Sequence, residues 1–344
     1  SEFAHWHDRV WYLSVPKSFF DDARSAGPFE FMIAIGFSFE YVLTNLLFVP
    51  FMSGAAFNGD MATVTFGFSA QSDEARHMTL GLQAIKFLLE QDPANVPIVQ
   101  GWIDKWTWRG YKVLGLVSMM MDYMLPESPQ SWKEAWELYF EETTVALFKD
   151  LERYGIKVPD CAATVSAEKD HLSHQIWMTF YTHAAAAPFH TWLPDEKKMD
   201  WLSEKYPDTF DKYYRPVYEH WGKLEKEGKR YYSEMLPQLC QTCQIPMLYT
   251  EVEAGEPMQV AHRQTKFNGE RFHFCSDHCQ HIFENEPEKY VQSWLPVHQI
   301  FQGNCGGGTL PEVLKWYKVE FGQDNLDYVG SPDQQMWKEW KGEE

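Results

Sequence analysis

Apolar residues recur at helical spacing, three and four positions apart, over most of the first 236 residues. The clearest such pattern covers 61–91, and Asp92-Pro93 provides a stop signal directly after it. The pattern predicts a mainly α protein, with helices at 61–91, 97–125, 131–154, 167–190 and 213–236.

The most apolar stretch, 29–57, is long enough to cross a bilayer, but its polar residues argue against a membrane span. Glu40 and Asn45 lie in its middle and Pro50 interrupts it. A helix that is apolar on nearly all sides fits the core of a large helical protein better. Because a buried carboxylate is costly unless it is paired or bound to a metal, Glu40 is a candidate functional residue.

The pattern changes near Pro237. Alternating residues flank Asn268-Gly269, the strongest short hairpin signal, so 262–274 is predicted to form two strands with a type I′ turn. A short helix is expected at 276–283, with Ser276 as its N-cap. These changes predict three parts, which are a helical domain at 1–236, a small module at 237–300 and a C-terminal tail at 301–344.

The composition is that of a folded protein. Hydrophobic residues at 44% and charged residues at 23% of the 344 exclude wholesale disorder. The formal charge of −19 argues against binding to nucleic acid and gives no indication of an anionic membrane surface. The 16% of aromatic residues predict a bulky interior, or faces shared with partner proteins. Residues 1–8 have neither the pattern of a signal peptide nor an initiator Met, and we expect a cytoplasmic protein.

Four of the six cysteines form two close pairs. Cys240 and Cys243 are a C-x2-C pair, and Cys275 and Cys279 are a C-x3-C pair on the other side of the predicted hairpin. Each short spacing places two sulfurs within reach of one ion at about 2.3 Å, which favours a structural, tetrahedral zinc site. A redox C-x-x-C, two disulfides and replacement of one cysteine by a nearby histidine are the alternatives. The two remaining cysteines are expected to be inert.

Glu74 and His77 lie three residues apart in the predicted helix at 61–91, so their side chains project from one face. Glu-x-x-His is half of a di-iron carboxylate motif in helical bundles. The spacing alone is weak, since the chain contains four such pairs. This pair, however, follows the apolar stretch that carries Glu40, and one metal site would explain all three residues. A buried ion pair of Glu74 with His77 or with Arg76 is the alternative.

Several stretches resemble the large subunit of the bacterial multicomponent phenol hydroxylases, which belong to the soluble di-iron monooxygenases. The similarity extends over 3–305, and its most specific stretches are 39–78, 201–216, 239–247 and 272–279. In that family a ligand Glu is followed, 34 positions later, by the Glu of a DE-x-RH motif, and Glu40, Glu74 and His77 have this spacing. The resemblance implies a ferritin-like di-iron bundle with these three residues as iron ligands, and a small zinc module with four cysteine ligands.

The resemblance also assigns residues around the irons. Thr44 matches the family's pocket threonine on the oxygen-binding side, and Asn45 and Gln71 match polar residues at the edge of the site. Phe39 and Phe48 match neighbours of the hydrophobic substrate pocket.

Two further residues, Asp73 and Arg76, match groups behind the ligands, where the carboxylate would orient a histidine. The family's site needs four carboxylates and two histidines. Its first Glu and first Glu-x-x-His come from helices that precede the part matched by this chain. The Glu2/His5 pair is read as a coincidence, and we expect the chain to be the C-terminal two-thirds of a large subunit.

The resemblance implies that the intact subunit hydroxylates phenol and related aromatics to catechols with O2. Electrons would come from NADH through a separate flavin/iron–sulfur reductase. A small cofactorless regulatory protein would dock on the hydroxylase, and beta and gamma subunits would complete it.

Two rival interpretations remain open at the level of the sequence. The first is a sister enzyme that acts on toluene or an alkene, with the same irons and a reshaped pocket. The second is a non-catalytic, zinc-stabilised scaffold that lacks a complete iron site.

Overall fold

Helices dominate the structure, a computed structural model that describes residues 14–119, 122, 128–165, 193–227, 238–247 and 263–291. The α-helices are α1 (Ser14–Arg24), α2 (Pro28–Met32), α3 (Asn45–Phe57), α4 (Met61–Gln91), α5 (Val96–Met119), α6 (Trp132–Tyr139), α7 (Ala146–Glu152), α8 (Ala162–Val165), α9 (Glu196–Lys205), α10 (Arg215–Lys226), α11 (Asp277–Asn285) and α12 (Pro287–Val291). Within these ranges the π-helical stretches are π1 (Ile33–Thr44), π2 (Phe140–Val145) and π3 (Phe210–Tyr214), and Pro93–Asn95 is a 3-10 turn. The predicted helix at 167–190 and the tail at 301–344 lie outside the described residues.

The chain divides into two compact units that interleave along the sequence. One consists of Phe19–Gln175 and Asp200–Thr209. The other consists of Ser1–Ser18, Ile176–Met199 and Phe210–Glu344, and it contains the four paired cysteines. The predicted division at residues 236 and 300 stays a prediction.

Tryptophans form much of the core of the first unit. The largest fully buried side chains include Trp106, Trp108, Trp132 and Trp136, each at most 1% exposed. Trp136 stacks on Phe140 with 4.5 Å between the ring centroids. The bulky interior predicted from the aromatic content is therefore present. Aromatic rings that pack stacked or edge-on fill a large volume with few rotatable bonds.

An ion pair is also buried in this core. Arg109 Nε lies 3.3 Å from Asp22 Oδ2, and both side chains are completely buried. A charge pair in such a place is costly to desolvate, so its partners depend on each other strongly.

Helix α4 has the limits that the sequence predicts. Asp60 caps its first turn, where its side chain accepts a hydrogen bond from the backbone N–H of Thr63 at 3.0 Å. Asp92 adopts an extended backbone conformation at the other end, and Pro93 follows. The helix is therefore continuous over 31 residues and carries Glu74 and His77 in its middle.

The apolar stretch at 29–57 is helical, but its central part, π1, is a π-helix. Residues of this segment such as Ile33, Phe37 and Leu43 are completely buried, as expected for a core helix. The Thr44 hydroxyl donates a hydrogen bond to the carbonyl oxygen of Phe39, five residues earlier, at 2.8 Å. π-Helical turns are rare in proteins, but those that occur are often at functional sites. The π-helical segment π1 carries Glu40.

No single helix in the described part of the chain is long and apolar enough to cross a membrane. The bent pair Pro28–Thr44 and Phe48–Phe57, at 44° to each other, passes such a test only when the two helices are taken together.

The cysteine-bearing region contains two short antiparallel ladders. Strands β1 (Gln238–Leu239) and β2 (Pro246–Met247) pair with each other, as do β3 (Arg263–Phe267) and β4 (Glu270–Phe274). Asn268 (φ 49°) and Gly269 (φ 85°) both have positive φ, so the predicted type I′ hairpin is confirmed.

The short helix predicted to follow the hairpin is α11. The side chain of Ser276 accepts a hydrogen bond from the N–H of Cys279 at 3.1 Å, which confirms Ser276 as the N-cap.

Candidate metal centres

Glu40, Glu74 and His77 come together as the sequence predicts, although they belong to two different helices. His77 Nδ1 lies 3.0 Å from Glu74 Oε2 and 3.4 Å from Glu40 Oε1. One potential ligand atom from each residue lies within 4.8 Å of the other two. Two carboxylate oxygens and an imidazole nitrogen are a donor set that suits iron.

The site is partly enclosed, and its charges are poorly balanced. Burial and, to a lesser extent, the negative charge of Glu74 raise the pKa of Glu40, His77 lowers it, and the net result is a pKa of about 7. The hydrogen bond to Glu74, together with the charge of Glu40, raises the pKa of His77. Two acids therefore compete for one imidazole, which is the condition that a bound cation would relieve.

One atom of the site has no hydrogen-bond partner in the described part of the protein. This atom is Glu40 Oε2, which is buried. Because an unsatisfied buried carboxylate oxygen costs free energy, it fits a metal ligand better than a structural ion pair. The residues present therefore fit part of a metal site.

The three residues predicted at the edge of the catalytic site have different surroundings. The Thr44 hydroxyl is engaged with the backbone of Phe39 inside π1. Gln71 is half-buried on α4, and Asn45 begins α3, although its side chain lies outside the described part of the structure. Their roles stay predictions.

The predicted pocket residues lie near Glu40 in sequence and differ in their packing. Phe39 is packed among other rings, 4.9 Å from Phe19 and 5.8 Å from Phe20 between centroids. Phe48 is half-buried. An open groove of about 510 Å³ along α4 is lined by neither of them; its lining residues are Phe66, Ser69, Ala70, Ser72, Asp73 and Arg76.

Asp73 and Arg76 form an exposed pair on the surface of α4. Arg76 Nη1 lies 3.6 Å from Asp73 Oδ1, and the Arg76 and Asp73 side chains are 84% and 67% exposed, respectively. The negative charge of Asp73 contributes to the raised pKa of His77, but as the smallest of its causes. The predicted orienting role of Asp73 stays a prediction.

The four paired cysteines converge in a second candidate centre. Cys240, Cys243, Cys275 and Cys279 are at most 2% exposed, and their sulfurs lie within 4.8 Å of one another. The Cys243–Cys275 and Cys275–Cys279 sulfur separations are both 3.6 Å, and the cysteines are not joined as disulfides. A tetrahedral Zn–S shell at about 2.3 Å has an edge of about 3.8 Å, close to these separations.

The backbone around the sulfurs is fixed by hydrogen bonds that connect the two cysteine pairs. Thr242 Oγ1 donates to the carbonyl oxygen of Cys279 at 2.7 Å, and Gln241 N donates to that of His273 at 2.8 Å. Gln244 adopts a positive φ of 62°, which turns the chain sharply after Cys243.

Burial also affects the protonation of two of the four sulfurs. It raises the pKa of Cys243 and Cys275 well above that of a free thiol, and hydrogen bonds with the neighbouring sulfurs contribute. Without a cation, burial therefore disfavours the thiolate form of Cys243 and Cys275, and a bound metal would reverse this preference.

Sequence reasoning missed the glycines at the crossing of the two ligand-bearing helices. Gly36 lies one turn before Glu40, and Gly81 lies one turn after His77. The backbones touch at this point, since a methyl group on Gly81 would lie 2.5 Å from the carbonyl carbon of Gly36. The sequence does place each glycine four residues from a candidate ligand. This spacing indicates a close contact only once the two helices are known to cross at the glycines.

Comparison with known proteins agrees with this architecture. The profile of the Methane/Phenol/Alkene Hydroxylase family matches residues 1–92, and that of the YHS domain matches residues 255–294. The oxygenase component DmpN of phenol 2-monooxygenase from Pseudomonas sp. (strain CF600) is 61% identical over 99% of this chain and 66% of its own length. The alpha subunit of the oxygenase component of the alkene monooxygenase system from Xanthobacter autotrophicus is 26% identical over 95% of this chain and 66% of its own.

A solved structure supports the same assignment. The crystal structure of xenon-pressurised phenol hydroxylase from Pseudomonas sp. OX1 superposes with a TM-score of 0.82 and 65% identity, over 98% of this chain and 68% of that one. This chain thus spans about two thirds of the length of the relatives that it matches. The predicted mainly helical fold of the di-iron oxygenases is confirmed, and the chain belongs to the methane/phenol/alkene hydroxylase family.

Proposed function

We propose that this chain is part of the large subunit of a di-iron monooxygenase that hydroxylates phenol and related aromatics to catechols. The observation that carries the proposal is the convergence of Glu40, Glu74 and His77 from two crossing helices in a chain 61% identical to a phenol 2-monooxygenase component. A merely structural ion pair would not explain why the buried Glu40 Oε2 has no hydrogen-bond partner in the described part of the chain.

The three ligand residues would hold iron as two anionic oxygens and one neutral nitrogen. Carboxylate-bound iron supplies the activation of O2 when it is present. In this structure His77 Nδ1 lies 3.0 Å from Glu74 Oε2, and a cation bound between these two atoms would replace their hydrogen bond. Phe39 and the buried residues of π1 keep water away from the Glu40 side of the site.

Thr44 is proposed to act on protons or on polar groups at the oxygen-binding side. Its hydroxyl now donates to the Phe39 carbonyl across a π-helical turn. A small rotation of this side chain would release the hydroxyl, so replacement by Val is expected to change the fraction of consumed O2 that appears as product. Equal coupling in the Val variant and in the original protein would contradict this role.

Phenol is favoured over toluene or an alkene as the substrate class. The phenol 2-monooxygenase component is 61% identical to this chain, whereas the alkene monooxygenase subunit is 26% identical. Product analysis of the assembled enzyme with phenol and with toluene tests this choice. Catechol formed from phenol at a much higher kcat/KM than any toluene product is expected, and the reverse order would favour the sister enzyme.

The proposal includes partner proteins. We expect beta and gamma subunits, an NADH-dependent flavin/iron–sulfur reductase and a small regulatory protein, with the complex in the cytoplasm. Apolar side chains that are more than half exposed lie on and beside α4, which supports contacts with further protein; they are Phe57, Met61, Phe66, Phe68, Leu80 and Phe87. Reconstitution tests this part, because NADH-driven turnover should require the reductase.

The four-cysteine centre is proposed to bind zinc in a structural role. Four cysteine ligands fill a tetrahedral shell and leave no position for water or substrate. The burial of all four residues and the hydrogen bonds between the two cysteine pairs support this role.

The alternative of a non-catalytic scaffold is favoured by one observation, which is that the described residues bring together three of the six ligands that a di-iron site needs. Metal analysis separates the two. Zinc without iron in the assembled protein would support the scaffold, and iron together with zinc would support the oxygenase.

A further inference from the structure

The two helices that carry the candidate iron ligands touch at the level of their backbones, at Gly36 of π1 and Gly81 of α4. A Cβ atom added to Gly81 would lie 2.5 Å from the carbonyl carbon of Gly36 and 2.6 Å from the backbone nitrogen of Phe37. A Cβ atom added to Gly36 would lie 2.8 Å from the carbonyl oxygen of His77. These neighbours are backbone atoms, so no side-chain rotation can relieve the overlap.

This contact is adjacent to the ligands in both helices. Gly36 precedes Glu40 by four residues, and Gly81 follows His77 by four residues. The atom that limits space at Gly36 belongs to His77 itself. The separation of the two backbones at this point therefore determines how far the Glu40 carboxylate lies from the His77 imidazole, which is 3.4 Å between Oε1 and Nδ1.

The opposite side of π1 is less tightly constrained. Gly110 of α5 faces it, and a Cβ atom there would lie 2.6 Å from Leu43 Cδ1 and 3.2 Å from Phe39 Cδ2. These are side-chain atoms, which can move. The position of the backbone at Glu40 is therefore fixed by the contact of π1 with α4 rather than by its contact with α5.

We propose that Gly36 and Gly81 are positioning residues that set the spacing of the iron ligands Glu40 and His77. The inference rests on the proposed function, since it assumes that these residues bind iron. Non-bonded carbon atoms require about 3.5 Å, so a methyl group on Gly81 must separate the backbones by about 1 Å. Metal–ligand distances tolerate only about 0.2 Å, so such a shift takes at least one ligand out of range.

The test compares two alanine variants of α4 in the assembled enzyme. Gly81→Ala places its methyl group against backbone, whereas the control Gly67→Ala places its methyl group against the flexible side chain of Met52, 2.5 Å from Cγ. Both variants add one methyl group at a buried position of the same helix. Iron per chain, the competition of a chelator for Fe(II), and the Mössbauer spectrum of the 57Fe-loaded protein are measured for each.

Gly81→Ala is expected to bind Fe(II) roughly 10- to 100-fold more weakly and to show an altered Mössbauer spectrum, while it retains its zinc. Gly67→Ala is expected to match the original protein in iron affinity and spectrum. Gly36→Ala, with its milder overlap of 2.8 Å, should give a smaller change in the same direction.

A folded Gly81→Ala or Gly36→Ala variant with unchanged iron affinity and spectrum would overturn the inference. Failure of both variants to fold, while Gly67→Ala folds, would also overturn it, because the contact would then serve folding as a whole. Absence of iron from the original protein would refute the proposed function instead, so the two failures are distinguishable.

Discussion

Replacement of one proposed zinc ligand, Cys275→Ser, is expected to release the metal and loosen the module around it. Cys275 is the best position for this test because its sulfur lies 3.6 Å from those of both Cys243 and Cys279. A serine hydroxyl remains protonated at neutral pH and is a poor zinc ligand. The variant therefore retains three thiolates of four.

The magnitude follows from the energy of a complete site. Structural zinc in small Cys/His sites contributes about 10–16 kcal/mol of apparent binding free energy at pH 7. One ligand of four then accounts for about 3 kcal/mol, which weakens zinc binding by about two orders of magnitude. A metal bound by the four cysteines would also join the turn that bears Cys240 to α11, so its loss should expose the backbone of the β3–β4 hairpin.

The assay is zinc release to a chromophoric chelator, combined with hydrogen exchange of the β3–β4 hairpin and α11. Cys161→Ser is the matched control, since Cys161 is a buried cysteine outside the cluster. We expect early zinc release and faster exchange in Cys275→Ser, and neither change in Cys161→Ser. Zinc that is retained equally in both variants would refute the assignment of four cysteine ligands in a tetrahedral site.

Two further predictions concern pH and the buried ion pair. Burial holds the pKa of Cys243 and Cys275 well above that of a free thiol, and unfolding restores it to about 8.5, so the unfolded state binds fewer protons above that pH. The metal-free protein should therefore lose stability as the pH rises from about 7 to about 9.5, whereas the zinc-loaded protein should not. Urea unfolding with and without a chelator measures the free energy of unfolding of each form. A parallel pH dependence of the two forms would contradict this expectation. Asp22→Ala should destabilise the first unit by about 3–5 kcal/mol, because Arg109 remains buried without this carboxylate, whereas the double change Asp22→Leu/Arg109→Met should cost much less. Denaturant unfolding of the single and double variants measures this difference, and equal losses in the two would argue against the pair as the cause.

Local signals explain why some elements could be predicted from the sequence. Helix α4 begins after the Asp60 cap and ends before Pro93, and both signals are encoded within a few residues of the helix ends. The β3–β4 turn is encoded by Asn268-Gly269, because few other residue pairs adopt positive φ at both positions. The four-cysteine cluster is also local, with two short spacings on either side of this hairpin.

The π-helical form of π1 could not be predicted. Its residues are apolar on nearly all sides, so the spacing of apolar positions does not distinguish an α-helix from a π-helix. The segment packs against both α4 and α5, and such tertiary contacts leave no mark on the local pattern.

The convergence of the proposed iron ligands could be predicted only in part. Glu74 and His77 share a helical face by spacing alone, but four Glu-x-x-His pairs occur in the chain, and the crossing with π1 distinguishes this one. The crossing itself depends on Gly36 and Gly81, whose contact brings together positions 45 residues apart and is invisible in any local pattern.

The most direct test of the account is the metal content of the assembled protein, measured for the original chain and for Glu74→Ala. Glu74 is chosen because its carboxylate contacts His77 directly and its loss leaves the cysteine cluster untouched. The original protein should contain iron and zinc, and Glu74→Ala should lose its iron and retain its zinc. Iron that is unchanged in Glu74→Ala, or absent from the original protein, would contradict the claim that Glu40, Glu74 and His77 form part of an iron centre.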